Sequence, residues 1–214
     1  MRVSVEDHPL LDLRIIFCVF QRGLSAESDA SIQRFFDPNA SAPIRPSESA
    51  KTLIRDLLRV GGFKPSGRSK PASEYLIKAA EGGFLGPINP AVDVCNAVSL
   101  HSGLPISVVD LDRLTGDLSI RIAEAGTRYI FNASGQDIDV SGLLCLHDEQ
   151  SACANAVKDS QRTKTDEETT RCLYLFWGSR ELSGVVDAAA AWTLALLRDQ
   201  GAEEIAEINA VSNR

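Results

Sequence analysis

The sequence predicts an α+β fold: a mixed sheet core of β-sandwich type with flanking helices, in a single domain. Three observations carry that prediction. Two apolar runs, Leu13–Phe20 and Cys172–Trp177, have the composition of buried strands. Between them, short segments rich in Ile, Val, Leu and Tyr recur between glycine turns, a cadence of sandwiches rather than of alternating βα units. Four further segments space their apolar residues as helices do.

The elements follow in chain order. Residues 1–46 supply an N-terminal strand, Leu13–Phe20, and a loop packed on the main domain. That loop, Phe36–Pro46, holds three prolines. Ser47 reads as the cap of a helix over Ala50–Val60, with Leu53, Leu57, Leu58 and Val60 at helical spacing and Gly61-Gly62 as the stop. A second helix starts near Ser69 or Pro71, turns Tyr75, Leu76 and Ala79 inward, and ends at Gly82-Gly83. Asn89 and Pro90 open a third helix, which buries Val94 and Val98 and closes at Gly103. Strands are then expected at Ile106–Val109, Leu118–Ile122, Tyr129–Phe131 and Leu143–Leu146. Gln161–Thr170 is polar and reads as a loop. Cys172–Trp177 is the last strong strand. Gly184–Arg198 is an alanine-rich helix anchored by Trp192, and the final dozen residues extend it or fray. The expected division is 1–46, a main domain over 47–180, and a C-terminal helix over 181–214.

Composition bounds the function. A chain of 214 residues with 44% hydrophobic and 24% charged residues has material for a sizeable core. Its apolar runs fall far short of the ~20 residues that cross a bilayer, and no signal peptide is evident. A cytoplasmic protein without a membrane partner is expected. Five cysteines, Cys18, Cys95, Cys145, Cys153 and Cys172, include no C-x-x-C pair, which argues against a zinc cluster or a disulfide frame. Cys145 and His147 share a strand face, but no further ligand stands near them. Neither metal nor cofactor is expected.

Net charge is −7, yet residues 51–80 carry seven basic side chains against two acidic ones. This segment, with Lys64, Arg68 and Lys70 at its centre, is either a solvated helix face or a phosphate-binding patch. A second run, Lys158–Thr170, mixes Lys158, Arg162 and Lys164 with Asp159, Ser160 and Thr163. It suits phosphate or ribose contact, or is a soluble loop. P-loop, nucleophile-elbow, zincin and Rossmann signatures are all missing from the sequence. Polar residues remain in unusual places. Asn96 lies mid-helix beside a buried stripe, where it either fixes neighbouring backbone or contacts a ligand. Asp93 and His101 share no clean apolar face with it. Asp110 and Asp112 flank a leucine before a turn; Asp110 caps that turn or does acid–base work.

From Asn89 to Val98 the chain reads N-P-A-V-D-V-C-N-A-V, and from Gly103 to Gly116 it reads G-L-P-I-S-V-V-D-L-D-R-L-T-G. These runs resemble the B3/B4 domain of the phenylalanyl-tRNA synthetase beta subunit, whose pattern is N-x-V-V-D-V-T-N-Y-V followed by L-G-Q-P-M-H-A-F-D-L-D-R-L-x-G. Gly61–Leu76 and Asp159–Thr165 resemble free-standing bacterial relatives of that domain more closely still. The resemblance covers roughly residues 50–178. It implies a B3/B4-like fold and a pocket that hydrolyses the ester of mischarged aminoacyl-tRNA, with the tRNA acceptor end as partner and DNA as none. By position, Cys95 and Asn96 match the pocket's Thr-Asn pair, Ser107 matches its histidine, and Asp159 lies near its glutamate. The implied catalytic set is Asn96, Ser107 and Asp159, in a pocket with Cys95, Asp93, Asp110 and Ser160. Lys64, Arg68, Lys70, Lys158, Arg162 and Lys164 would hold RNA. Two departures stand out: serine replaces the histidine, and A-C-A-N-A-V-K-D-S (Ala152–Ser160) replaces a glycine-rich loop. Three functions follow as expectations: a deacylase acting in trans, a non-catalytic tRNA-binding module, or an amino-acid-binding protein.

Overall fold

The computed structural model describes residues 2–25 and 28–213. Its strands are β1 (Val3–Glu6), β2 (Leu11–Val19), β3 (Ile106–Asp110), β4 (Leu118–Ile122), β5 (Arg128–Ile130), β6 (Asp137–Asp139), β7 (Leu144–His147), β8 (Ala152–Asn155), β9 (Arg171–Ser179), β10 (Ala206–Glu207) and β11 (Val211–Asn213). The helices are α1 (Ala30–Gln33), α2 (Ala50–Arg59), α3 (Ala72–Glu81), α4 (Pro90–Ser102) and α5 (Ser183–Asp199). One sheet has the order β11-β1-β4-β7-β8, a second β10-β2-β9-β3, and β5-β6 form a separate hairpin.

Strand β9 explains the layering. Alternate side chains of a strand point to opposite faces. Leu173, Leu175 and Trp177 enter a core between the two large sheets, with Ile15, Val109, Ile120 and Leu146. Cys172, Tyr174 and Phe176 enter a second core under α4 and α5, with Val94, Val98, Val186 and Ala190. Burial on both faces is why β9 reads as an unbroken apolar run. Each fully buried Leu, Val, Ile or Phe among them contributes about 1.5–3 kcal/mol on leaving water. The molecule is thus sheet on sheet with a helical layer on the outside of the second sheet.

Local chemistry places α4. The Asn89 side chain accepts the Val92 N–H at 2.9 Å, Pro90 occupies the first turn, and Gly103 closes the helix at φ 73°. A bidentate pair, Arg55 to Glu74 at 2.6 and 2.7 Å, ties α2 to α3.

Two expectations are corrected here. The tail does not extend α5. Gly201, at φ 82°, turns the chain, the Ala202 N–H bonds the Leu197 carbonyl at 2.9 Å, and β10 and β11 then pair with β2 and β1. The C-terminal region is therefore a helix plus two sheet-edge strands. Strands β1, β6 and β8 also went unpredicted. β6 spans three residues, and β8 (Ala-Cys-Ala-Asn) is built of small residues with little strand preference.

At Gly178 the backbone of β9 passes under α5. A Cβ there would lie 2.3 Å from Val186 Cγ2 and 2.8 Å from the Asp12 carbonyl. Gly178→Ala is expected to destabilise the fold by about 1–3 kcal/mol, measured as a lowered urea midpoint.

Candidate functional site

Where α3, the start of β3 and the turn after β8 meet, an open cavity of about 470 Å³ forms. It adjoins a lobe of about 300 Å³ between α3 and α4. Ala72, Tyr75 and Ile106 line both. Asp159 stands on the wall of the larger part.

Asn155 builds the turn that presents Asp159. Its Oδ1 accepts the N–H groups of Val157 and Lys158 at 2.8 and 3.0 Å, an Asx-type turn. Its Nδ2 donates to the Tyr129 hydroxyl, which donates to the Lys158 carbonyl. The chain then folds back, so that Asp159 Oδ1 accepts the Asn155 N–H at 3.0 Å and the Ser107 hydroxyl at 2.8 Å. Asp159 Oδ2 has no protein partner among the described residues. Burial pushes this carboxyl up to about 6, and the bonds from Ser107 and Asn155 together with the Lys164 charge hold it from rising further. It is a carboxylate at pH 7 with a proton affinity suited to a general base.

Cations stand beside it. Lys164 Nζ donates to the Phe131 carbonyl at 2.6 Å and lies 4.2 Å from that ring's centroid. Lys158 Nζ approaches the same ring at 4.7 Å. Burial draws the Lys164 ammonium below its ordinary range. Arg68 adds a third positive group to the cavity wall.

The sequence-predicted residues separate into two groups. Asp159 lines the main cavity, and Cys95 and Asn96 line the adjoining lobe. The Cys95 thiol donates to the Ile106 carbonyl at 3.3 Å, and burial pushes it far up, so it is no ready nucleophile. Ser107 is 1% exposed and lies behind the wall. The other proposed pocket residues do not line it. Asp93 is fully buried at the start of α4, accepting the Ile88 N–H at 2.9 Å. Asp110 caps its turn through the Asp112 N–H and holds Thr169 and Arg113. The Ser160 hydroxyl accepts the Arg162 N–H in the next turn.

Among the basic residues, Arg68, Lys158 and Lys164 face the cavity, whereas Lys64 lines a separate groove with Arg59 and Phe63. Lys70 lines neither. The Arg162 guanidinium is already engaged within the protein, donating to both carboxylate oxygens of Asp148 at 2.8 and 2.9 Å. Arg55 and Arg59 are likewise paired, with Glu74 and Asp56, so the basic segment offers fewer free charges than its composition implies. Tyr75, expected inward, is 41% exposed and forms cavity wall.

Sequence reasoning missed Phe131, Tyr129, Asn155 and Trp177. Asn155 did leave a signal, a lone amide in an Ala-Cys-Ala-Asn-Ala-Val run. Among the described residues no cluster of three metal-ligating side chains occurs. His147 Nδ1 meets the Cys145 carbonyl at 3.2 Å, and burial draws that imidazole down to about 4.

Known proteins resemble this chain along most of its length. The phenylalanine–tRNA ligase beta subunit of Cutibacterium acnes is 26% identical over 166 residues, 72% of this chain and 19% of that protein. The one from Pseudomonas putida is 29% identical over 161 residues, 72% and 20% respectively. The chain therefore spans about a fifth of the length of these relatives. Among solved structures, an N-terminal fragment of the phenylalanyl-tRNA synthetase beta subunit from Pyrococcus horikoshii shares the fold. Its TM-score is 0.52 at 11% identity, over 99% of this chain and 52% of that one. A profile of the B3/4 domain matches residues 65–177, more than half of the sequence, and the chain belongs to the B3/4 domain family.

Proposed function

We propose that this protein binds the aminoacyl end of tRNA and hydrolyses its ester in trans. The observation that carries this reading is Asp159: a carboxylate on a cavity wall, one oxygen held by two donors and the other free. Its relatives are named as parts of a tRNA ligase. In the proposed step, Asp159 Oδ2 takes a proton from water as the water oxygen attacks the ester carbonyl. The bond to the ribose oxygen breaks, and that oxygen receives the proton. Free amino acid and uncharged tRNA leave. Arg68, Lys158 and Lys164 attract the terminal phosphates, and the lobe beside Asn96 receives the amino-acid side chain. An aminoacyl ester is already activated, so an oriented water and one base suffice.

The test incubates purified protein with a panel of mischarged aminoacyl-tRNAs. Release of amino acid above the uncatalysed rate is expected, and release from none of them overturns the reading. The rate should rise as pH passes through about 6, because only the ionised carboxyl accepts a proton.

A binding module without chemistry is the second reading, favoured by the burial of Ser107 where the family histidine stands. Both readings predict that Arg68→Ala with Lys158→Ala weakens tRNA binding. The salt dependence should flatten by about 0.7 for each phosphate that is no longer neutralised. Filter binding across a salt series measures it, and an unchanged slope would remove these cations from the interface.

A further inference from the structure

Ser107 Oγ has three polar neighbours. The Trp177 indole Nε1–H donates to it at 2.9 Å, while Asp159 Oδ1 and the Asn155 carbonyl stand 2.8 and 3.2 Å away as competing acceptors. A hydroxyl has one proton and two lone pairs. With the indole fixed on one lone pair, the proton turns to the nearer, charged acceptor. Trp177 itself is fully buried in the core between the sheets. We infer that Trp177 and Ser107 are positioning residues for Asp159: they load Oδ1 with a hydrogen bond, so that proton uptake occurs on Oδ2, toward the cavity.

This rests on the deacylase reading for its functional meaning, but not for its test. Asp159 is surrounded by Cys95 from α4, Tyr129 from β5, Cys145 and Cys153 from β7 and β8, Lys158 and Lys164 from its own segment, and Arg68 across the cavity wall from the loop between α2 and α3. The thiols and the phenol are all pushed upward by burial and stay neutral between pH 4 and 8. The carboxyl is therefore the group that titrates here.

The experiment follows the Asp159 carboxyl carbon by NMR from pH 4 to 8 in the full chain, without substrate, its resonance assigned by its loss in Asp159→Asn. Ser107→Ala is expected to raise the midpoint by about one unit, since a bond to the ionised form is lost. Trp177→Phe should raise it by a smaller amount, and Ser107→Thr, which keeps the hydroxyl, should restore it. In each variant a retained far-UV spectrum checks the fold. A midpoint unmoved in both Ser107→Ala and Trp177→Phe overturns the inference. A shifted midpoint in a protein that hydrolyses no aminoacyl-tRNA would uphold the relay and reject the deacylase reading.

Discussion

The Asp159→Asn variant is expected to lose about 100- to 10,000-fold in the rate of ester hydrolysis, the usual contribution of a placed general base. It is also expected to be more stable than the parent at pH 7.5. The folded carboxyl sits at about 6, against roughly 3.9 in an unfolded chain. Between those values the folded state binds the extra proton, so stability is fully present below pH 4 and falls as pH rises toward 6. Above pH 6 the ionised carboxyl costs about 1–2 kcal/mol, after allowing for its face toward cavity water. Asparagine removes that charge and keeps an oxygen for Ser107 and the Asn155 N–H. Single-turnover deacylation and thermal melts at pH 4.5 and 7.5 measure both effects. An unchanged rate would take Asp159 out of the chemistry. A lower melting point at pH 7.5 would mean that ionised Asp159 stabilises the fold.

Arg162→Ala should be the most damaging single change among the basic residues, through the fold rather than through RNA. Asp148 has a side chain 0% exposed. Burial alone would push its carboxyl up, but Arg162 and the N–H groups of Ser151 and Thr115 outweigh it and hold it below its usual range. Removing the guanidinium leaves a buried charge without its counter-ion, a loss of about 3–5 kcal/mol. The low end applies, because the backbone donors on Asp148 remain. A urea titration should show a lowered midpoint with unchanged tRNA affinity in the folded fraction. The opposite pattern, full stability with weakened binding, would make Arg162 an RNA contact after all.

Particular residues show how much of this was legible. β9 and α4 were, because their signals are local. An apolar run of strand length and an Asn-Pro opening with a glycine stop act over neighbouring residues and need no knowledge of the rest of the chain. Tyr75 was misjudged because helical spacing identifies a semi-apolar face without saying whether protein or an open cavity lies opposite. Arg162 and Lys158 look alike in sequence, four residues apart in one polar run, yet one is clamped on Asp148 and the other lines the cavity beside the Phe131 ring.

The sequence by itself determined the fold class, the central helix and strands, and family membership through the Asn89–Gly116 run. The tertiary structure decided which polar groups are available for function. Asp159 becomes a candidate base because Ser107, 52 positions earlier, reaches its Oδ1, and because Trp177, 70 positions beyond Ser107, orients that hydroxyl. Burial and hydrogen bonding set a carboxyl's proton affinity, and both depend on segments that only folding brings together.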